Sequence, residues 1–371
     1  MSRKHVAFIV ECVYGHIVPT IGIAVELRRR GYRVSYAVKE SFERRIIDSG
    51  AEAKVYRPLG NKLKFFHKMK NDGTDLFNPP DATLWRGLQQ EEAEDTLSQL
   101  HELYVNDRPD LIIYDFMSPA GRMLAERLRI RTAEHTPMVI SQNDPLALCP
   151  HDENLVLASV PRFFQREADT LDARFQFIGF IPGGREKFFA PWKPVETDRP
   201  TLLVSATTGL LPQIDFFRKV IAALADSPCQ LVLTIGDDIE PDSLAPLPAH
   251  CQINRSSSNF EILRAARGVI GQAGQGSALE ALYWGVPQLL IPPSPVHDDC
   301  AIRIAELGLG TRLLESEATP DTVRAAALAL LENQPMHARL REIATIMQAN
   351  PGAAIAANLL DQHIAGRSVA A

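Results

Sequence analysis

The sequence predicts an α/β protein made of two doubly wound, parallel-sheet domains. Three observations predict it. Short, continuously apolar runs alternate with longer segments of helical spacing, the pattern of strands buried on both faces. The alternation occurs in two series, separated by a Pro- and charge-rich stretch near 183–200, PGGREKFFAPWKPVETDRP. The length, 371 residues, suits two domains at roughly 100–200 residues each.

In chain order, HVAFIV (5–10) reads as a first buried strand. A turn follows at Gly15. VPTIGIAVELRRRG (18–31) has helical spacing, with Ile21, Ala24, Val25 and Leu27 on one side and Gly31 as C-cap candidate. YRVSYAV (32–38) completes a βαβ unit. DLIIYDF (110–116) is a buried strand ending in an acid, and GRMLAERLRI (121–130) is a helix. The second series has strands TLLVSA (201–206) and CQLVLTIG (229–236), with helix PQIDFFRKVIAALADS (212–227) between them. GVIGQAG then leads into helix SALEALYWG, and PQLLIPP (287–293) is another strand. The tail GAAIAANLLDQHIAG (352–366) is a helix of small residues. No repeat of solenoid period is present. Ligands of such sheets bind beyond the strand C-termini, so two facing sheets predict an interdomain cleft.

Composition narrows the function classes. A net charge of −6 lacks the basic face of a general nucleic-acid binder. The run Arg28–Arg30 falls at a helix end, where cations complement the dipole. The five cysteines, at 12, 149, 229, 251 and 300, are odd in number and form no CxxC pair, which suits unpaired thiols in a reducing cytoplasm. The N-terminus reads as a strand rather than a signal peptide. The acidic balance makes a nucleic-acid partner unexpected, and no apolar stretch approaches the ~20 residues of a spanning helix, so stable membrane insertion is not expected.

The stretch GQAGQGSALEALYWGVP (271–287) is a Gly-rich turn running into a helix. Gly271, Gly274 and Gly276 permit tight turns and close approach of a ligand. Ser277 and Ala278 would begin the helix, with Ser277 as N-cap or first-turn residue. Free amides and the helix dipole there hold anions without a cationic side chain. The loop lacks the Lys of a Walker A motif. A plain strand-to-helix turn with no ligand is the competing reading.

Its surroundings are more specific. Gly-x-Gly-Ser, then EAL, GVPQLLIP and AELGLG (305–310), together resemble the donor-binding signature of the family 1 glycosyltransferases. The N-terminal half agrees. GHIVPTIGIAVELRRRGYRVSYAV and LYVNDRPDLIIYDF (103–116) resemble the macrolide and flavonoid glycosyltransferase branch, and RFQFIGF (174–180) resembles the segment before its interdomain linker. The resemblance spans nearly the whole chain. It implies the GT-B fold: an acceptor-binding Rossmann-like domain (1–182), a linker (183–200), a nucleotide-sugar-binding Rossmann-like domain (201–350), and a C-terminal helix (351–371) packing back on the first domain.

It also implies an inverting transfer of a sugar from a UDP- or dTDP-sugar to a hydroxyl of a small natural product. The nucleotide-sugar would be a co-substrate, with no cofactor and no metal, in a monomer or homodimer. His16 matches the family's general base in the GH…P motif. Its unperturbed pKa of about 6.5 suits that work. Asp115 matches the acid that orients it and stabilises the imidazolium. A capping His and a plain strand-end Asp are the competing readings. Gly274, Gly276 and Ser277, with Gln275, match the diphosphate loop. Glu280 matches a ribose-binding acid, or else is a helix-surface Glu. Thr207 and Thr208, in SATTG (205–209), would donate to sugar or phosphate, or only shape a turn.

The departures cluster at the donor site. Where the family has His-Gly-Gly, this chain has Gln272, Ala273 and Gly274; Gln still donates, but carries no charge. The family's Trp-x-Pro-Gln falls on SSSN (256–259), leaving Asn259 to bond a base edge without an aromatic platform. Its sugar-binding Asp/Glu-Gln pair falls on Val296 and His297, and the following Asn on Cys300. His297, Asp298 and Asp299 would take over if the loop shifts. The segment after RTAEHTP is shorter than its counterparts, implying a more open acceptor site. Phe65, Phe66, Phe77 and Trp85 are candidates to line it, or are ordinary packing. A non-catalytic auxiliary protein and a GT-B nucleotide-sugar epimerase remain as alternatives.

Overall fold

The computed structural model describes residues 3–60, 82–140, 155–184, 189–193, 198–206, 214–236, 239–255 and 257–367. Contacts divide the chain into two units. One is Met1–Phe188 with Asn350–Ala371, and the other is Phe189–Ala349. The described part of the Pro-rich stretch therefore belongs partly to each.

The first unit is wound in chain order from β1 (His5–Ile9), α1 (Tyr14–Arg29), β2 (Arg33–Val38), α2 (Glu40–Asp48) and β3 (Glu52–Val55). It continues with α3 (Ala82–Tyr104), β4 (Leu111–Asp115), α4 (Pro119–Leu128), β5 (Arg131–Thr136), β6 (Val156–Ala158) and β7 (Phe175–Phe177). Among the described residues these strands form one sheet, ordered β3-β2-β1-β4-β5-β6-β7 and parallel throughout. Every residue of β1 and β4 is buried, as their unbroken apolar runs require. Burying one large aliphatic side chain there contributes roughly 1.5–3 kcal/mol. The strand order reverses direction between β1 and β4, which makes their carboxyl ends the topological switch point.

α1 begins at Tyr14, a turn earlier than the start at Val18 that the sequence suggests. Val13 is its extended N-cap, without a side-chain cap bond. Pro19, which reads as an N-terminal helix residue, lies inside the helix. It has no N–H to donate to the Gly15 carbonyl, so the early turn lacks one rung.

The second unit contains β8 (Thr201–Ser205), α5 (Ile214–Ala223), β9 (Gln230–Thr234), β10 (Cys251–Asn254), α6 (Asn259–Leu263) and β11 (Ala266–Gly271). It then adds α7 (Gln275–Trp284), β12 (Gln288–Leu290), α8 (Pro295–Glu306), β13 (Gly310–Arg312), α9 (Pro320–Glu332) and α10 (Gln334–Ala349). Its described strands form a parallel sheet ordered β10-β9-β8-β11-β12-β13. The switch point here lies between β8 and β11, so both units repeat one winding rule.

The last helix, α11 (Gly352–Ile364), returns to the first unit and packs on α1. Arg30 donates to Asp361 and Asn358, each at 2.7 Å. The Tyr32 hydroxyl also donates to Asp361. His363 Nε2 donates to the Thr132 carbonyl at 2.7 Å, and Asn350 Nδ2 to the Ile178 carbonyl at 2.8 Å. Close backbone approach is needed on both sides of this joint. A Cβ at Gly22 would run into Ile181, and one at Gly352 into the Ile178 carbonyl. Among the described residues, no helix is long and apolar enough to cross a membrane.

Candidate active site

At the first switch point the chain leaves β1, makes a short turn and enters α1. His16 is the third residue of that helix, inside its first turn rather than in the loop before it. Its backbone N–H donates to the Val13 carbonyl at 3.1 Å. The residue is 9% exposed, and its ring tilts against Phe116 with ring centroids 5.9 Å apart. Asp115 is the last residue of β4, is fully buried, and places Oδ2 2.6 Å from His16 Nδ1. A carboxylate can only accept, so the proton sits on Nδ1 and Nε2 is the basic atom. The other oxygen, Oδ1, accepts from the Met117 N–H at 2.7 Å. The carboxylate is thus fixed from both sides.

Local packing explains why the strand end can do this. α4 starts at Pro119, four residues after Asp115, with the fixed φ suited to a first helical residue. Gly121 lets the helix backbone press on the sheet: a Cβ there would lie 2.6 Å from Tyr114 Cβ and 3.2 Å from Ile9. The turn is therefore short, and the Asp115 side chain has little room to swing.

At the second switch point, β11 ends at Gly271 and a loop of three residues leads into α7. Gln272 and Ala273 are buried, while Gly276 and Ser277 are exposed. The helix starts at Gln275 with Gly274 as N-cap, so Ser277 is its third residue, not its cap. The first intrahelical bond recorded runs from the Ala278 N–H to the Gly274 carbonyl at 2.9 Å. The amides of Gln275, Gly276 and Ser277 precede it and point along the helix axis, as first-turn amides do. A Cβ at Gly276 would meet nothing within 4 Å, so the space above it is open. Ala273 has φ +59°, a left-handed conformation that a side chain adopts at a cost of about 1–2 kcal/mol. The loop is shaped at the expense of strain, a trait of ligand-gripping turns.

The remaining expected residues fall out unevenly. Asn259 opens α6, and its Nδ2 donates to Ser205 Oγ at 2.7 Å, which ties it to the end of β8. Its Oδ1 is buried without a hydrogen-bond partner among the described residues. Glu280 is buried on α7 rather than standing on a helix surface. His297 shares a 2.7 Å hydrogen bond with Ser294 Oγ, and burial lowers its pKa. Asp298 is paired within the unit: Arg312 grips its carboxylate with Nε and with Nη2, the latter at 2.6 Å. That hydrogen-bonded guanidinium holds the Asp298 carboxyl below its usual range. Phe65, Phe66, Phe77, Thr207 and Thr208 lie outside the described residues, and Trp85 is described only by its backbone place in α3.

Three partners escaped the sequence reading: Ser205, Arg312 and Phe116. Ser205 was visible as the polar end of a buried strand. Nothing local marks Arg312 as the mate of Asp298.

Two parallel sheets with the same winding, a buried His–Asp pair at one switch point and a glycine-rich strand-to-helix loop at the other define a GT-B glycosyltransferase. The comparisons agree. The C-terminal domain of the erythromycin biosynthesis protein CIII-like family matches residues 218–361. NDP-glycosyltransferase YjiC of Bacillus licheniformis is 30% identical over 404 aligned positions that cover all of both chains. The alignment exceeds the 371 residues present here, so that relative carries residues this chain lacks. Demethyllactenocin mycarosyltransferase of Streptomyces fradiae is 28% identical, over 96% of this chain and 86% of its own. Among solved structures, the calicheamicin glycosyltransferase CalG4 superposes with a TM-score of 0.79 at 26% identity, covering 99% of each chain. The chain belongs to the family 1 glycosyltransferases, which move a sugar from a nucleoside-diphosphate sugar.

Proposed function

We propose that the protein catalyses an inverting transfer to a hydroxyl of a small natural product, with His16 as general base and Asp115 orienting it. The observation that carries this reading is the 2.6 Å bond between His16 Nδ1 and a fully buried Asp115. Burying a carboxylate is costly unless it is bonded and given work. An imidazole so held has one tautomer and one basic nitrogen.

In the proposed step the acceptor oxygen attacks the anomeric carbon. Its proton passes to His16 Nε2. The bond from the anomeric carbon to the diphosphate oxygen breaks, and its electron pair leaves with the nucleoside diphosphate. The new bond forms on the opposite face, so the configuration inverts. The imidazolium is stabilised by Asp115, and its charge is shared across the short hydrogen bond. The leaving diphosphate is stabilised by the amides of Gln275, Gly276 and Ser277 at the N-terminus of α7. Gln272 adds a neutral donor where relatives of this type have a His. Grip on the donor therefore rests on backbone geometry more than on charge.

Relatives named as UDP-glucosyltransferases and solved relatives held with thymidine diphosphate support a UDP- or dTDP-sugar donor, and relatives named for demethyllactenocin and oleandomycin support a small natural-product acceptor. His297 and Ser294 are the polar groups at the start of α8 suited to the sugar. The test is transfer from UDP-glucose and dTDP-sugars to macrolide and flavonoid acceptors. His16→Ala is expected to lower kcat by roughly 10²–10⁴ while leaving donor binding intact. Full activity in that variant would remove His16 from the reaction.

A further inference from the structure

Asp115 has a second imidazole neighbour that the transfer step does not use. β5 runs parallel to β4, and its His135 is the register partner of Asp115. Register partners in a pleated parallel pair project from the same face. In the order β1-β4-β5, the strand of Asp115 lies between the strand that leads into His16 and the strand that carries His135. The His135 ring is fully buried. Its Nε2 lies 2.7 Å from Ser159 Oγ, and Ser159 is itself anchored by its N–H to the Thr136 carbonyl at 2.9 Å. His135 Nδ1 is buried and has no hydrogen-bond partner among the described residues. Such an orphan costs about 1–3 kcal/mol, a cost that an aliphatic residue here would avoid. A buried polar atom left unpaired beside a working carboxylate calls for an explanation.

We propose that His135, held in place by Ser159, is a positioning residue that closes the far flank of Asp115 and keeps its carboxylate in the orientation that serves His16. The proposal rests on His16 being the base. It requires His135 to stay neutral, because an imidazolium here would compete with His16 for the same carboxylate. Burial does this, drawing its pKa down from 6.5 to about 4. The charged groups acting on the ring are Asp115, which opposes that fall, and His16, which adds to it. Neutral His135 contributes shape and a fixed dipole. The Ser159 bond holds the ring at Nε2.

The test reads His16 itself. Imidazole NMR titration of isotope-labelled protein gives its pKa without any substrate, with His16→Asn assigning the signal. In His135→Phe the Ser159 anchor is lost, Asp115 gains freedom, and the His16 pKa is expected to fall by about one unit, a tenfold change in basicity. Ser159→Ala should shift it the same way by less. His135→Gln, whose amide can still reach Ser159, should restore most of the wild-type value. With substrates, kcat should fall in proportion and both KM values should hold. An unchanged His16 pKa in folded His135→Phe, or in Ser159→Ala if the former does not fold, overturns the proposal. Full transfer by His16→Ala would overturn the functional reading instead, so the two failures are separable.

Discussion

The two switch points use one topology for opposite electrostatics. In the first unit the polar work is done by a buried charge: Asp115 is inaccessible to water and bonded to His16 at 2.6 Å. In the second the strand-to-helix loop and strand end carry neutral groups: an exposed helix start, a buried Gln272, and Asn259 bonded to Ser205 at 2.7 Å, with Glu280 buried further along α7. Under the proposed function a proton is taken at the first site, which calls for a titratable group. A diphosphate is held and released at the second, for which oriented amides suffice. The sheet supplies the place, and the side chains at the strand ends decide the chemistry.

The comparison breaks first at Asp115. Asp115→Asn keeps the shape but allows the wrong imidazole tautomer, so kcat should fall by a hundredfold or more with little change in donor KM. If both parameters moved equally, the acid would be holding substrate rather than His16. A second expectation concerns acid. His135 is neutral when folded, with a pKa of about 4, and returns to about 6.5 when unfolded. Its neutrality costs nothing above pH 6.5. Below that the unfolded chain binds the proton and the native chain does not. Stability should then drop by about 1.4 kcal/mol per pH unit until pH 4. Denaturant unfolding of wild type minus His135→Phe across this window should show that slope, and a flat difference would contradict it.

On the donor side, Gly276→Leu fills the open space above the α7 amides. The donor KM should rise about tenfold, roughly 1.4 kcal/mol. The Tm should hold or rise, since Leu is a better helix former. A fall in Tm with unchanged KM would mean the space is not the diphosphate's. Smallest is Arg312→Met, which frees Asp298. That pair is partly exposed, so the loss should be about 0.5–1 kcal/mol at neutral pH. Because Arg312 depresses the Asp298 pKa, the loss should vanish as pH falls through that lowered value. Calorimetry at two pH values would check it.

The legible parts of the fold were those that physics writes locally. β1, β4 and β8 are buried on both faces, so their sequences are continuous apolar runs. β3 (EAKV), β10 (CQIN) and β13 (GTR) sit at sheet edges or are too short to show a period. The start of α1 was misplaced because Pro19 imitates a first helical residue. His16 and Asp115 were legible as residue types at strand ends, through their resemblance to a known motif. Their contact spans 99 positions and depends on β1 lying next to β4. Asn259 with Ser205, and Asp298 with Arg312, are likewise pairings across the fold. No periodicity encodes them, which is why the Arg312 partner of Asp298 was not legible.

The return of α11 to the first unit dictates how the molecule can be recombined. Residues from both sides of the second unit belong to the first, so the second unit is a cassette, 189–349, set within it. An exchange cut only in the Pro-rich stretch would import a foreign tail that must still satisfy Arg30, Tyr32 and the Ile178 carbonyl. Chimaeras that carry their own final helix along with the first unit are the ones expected to express.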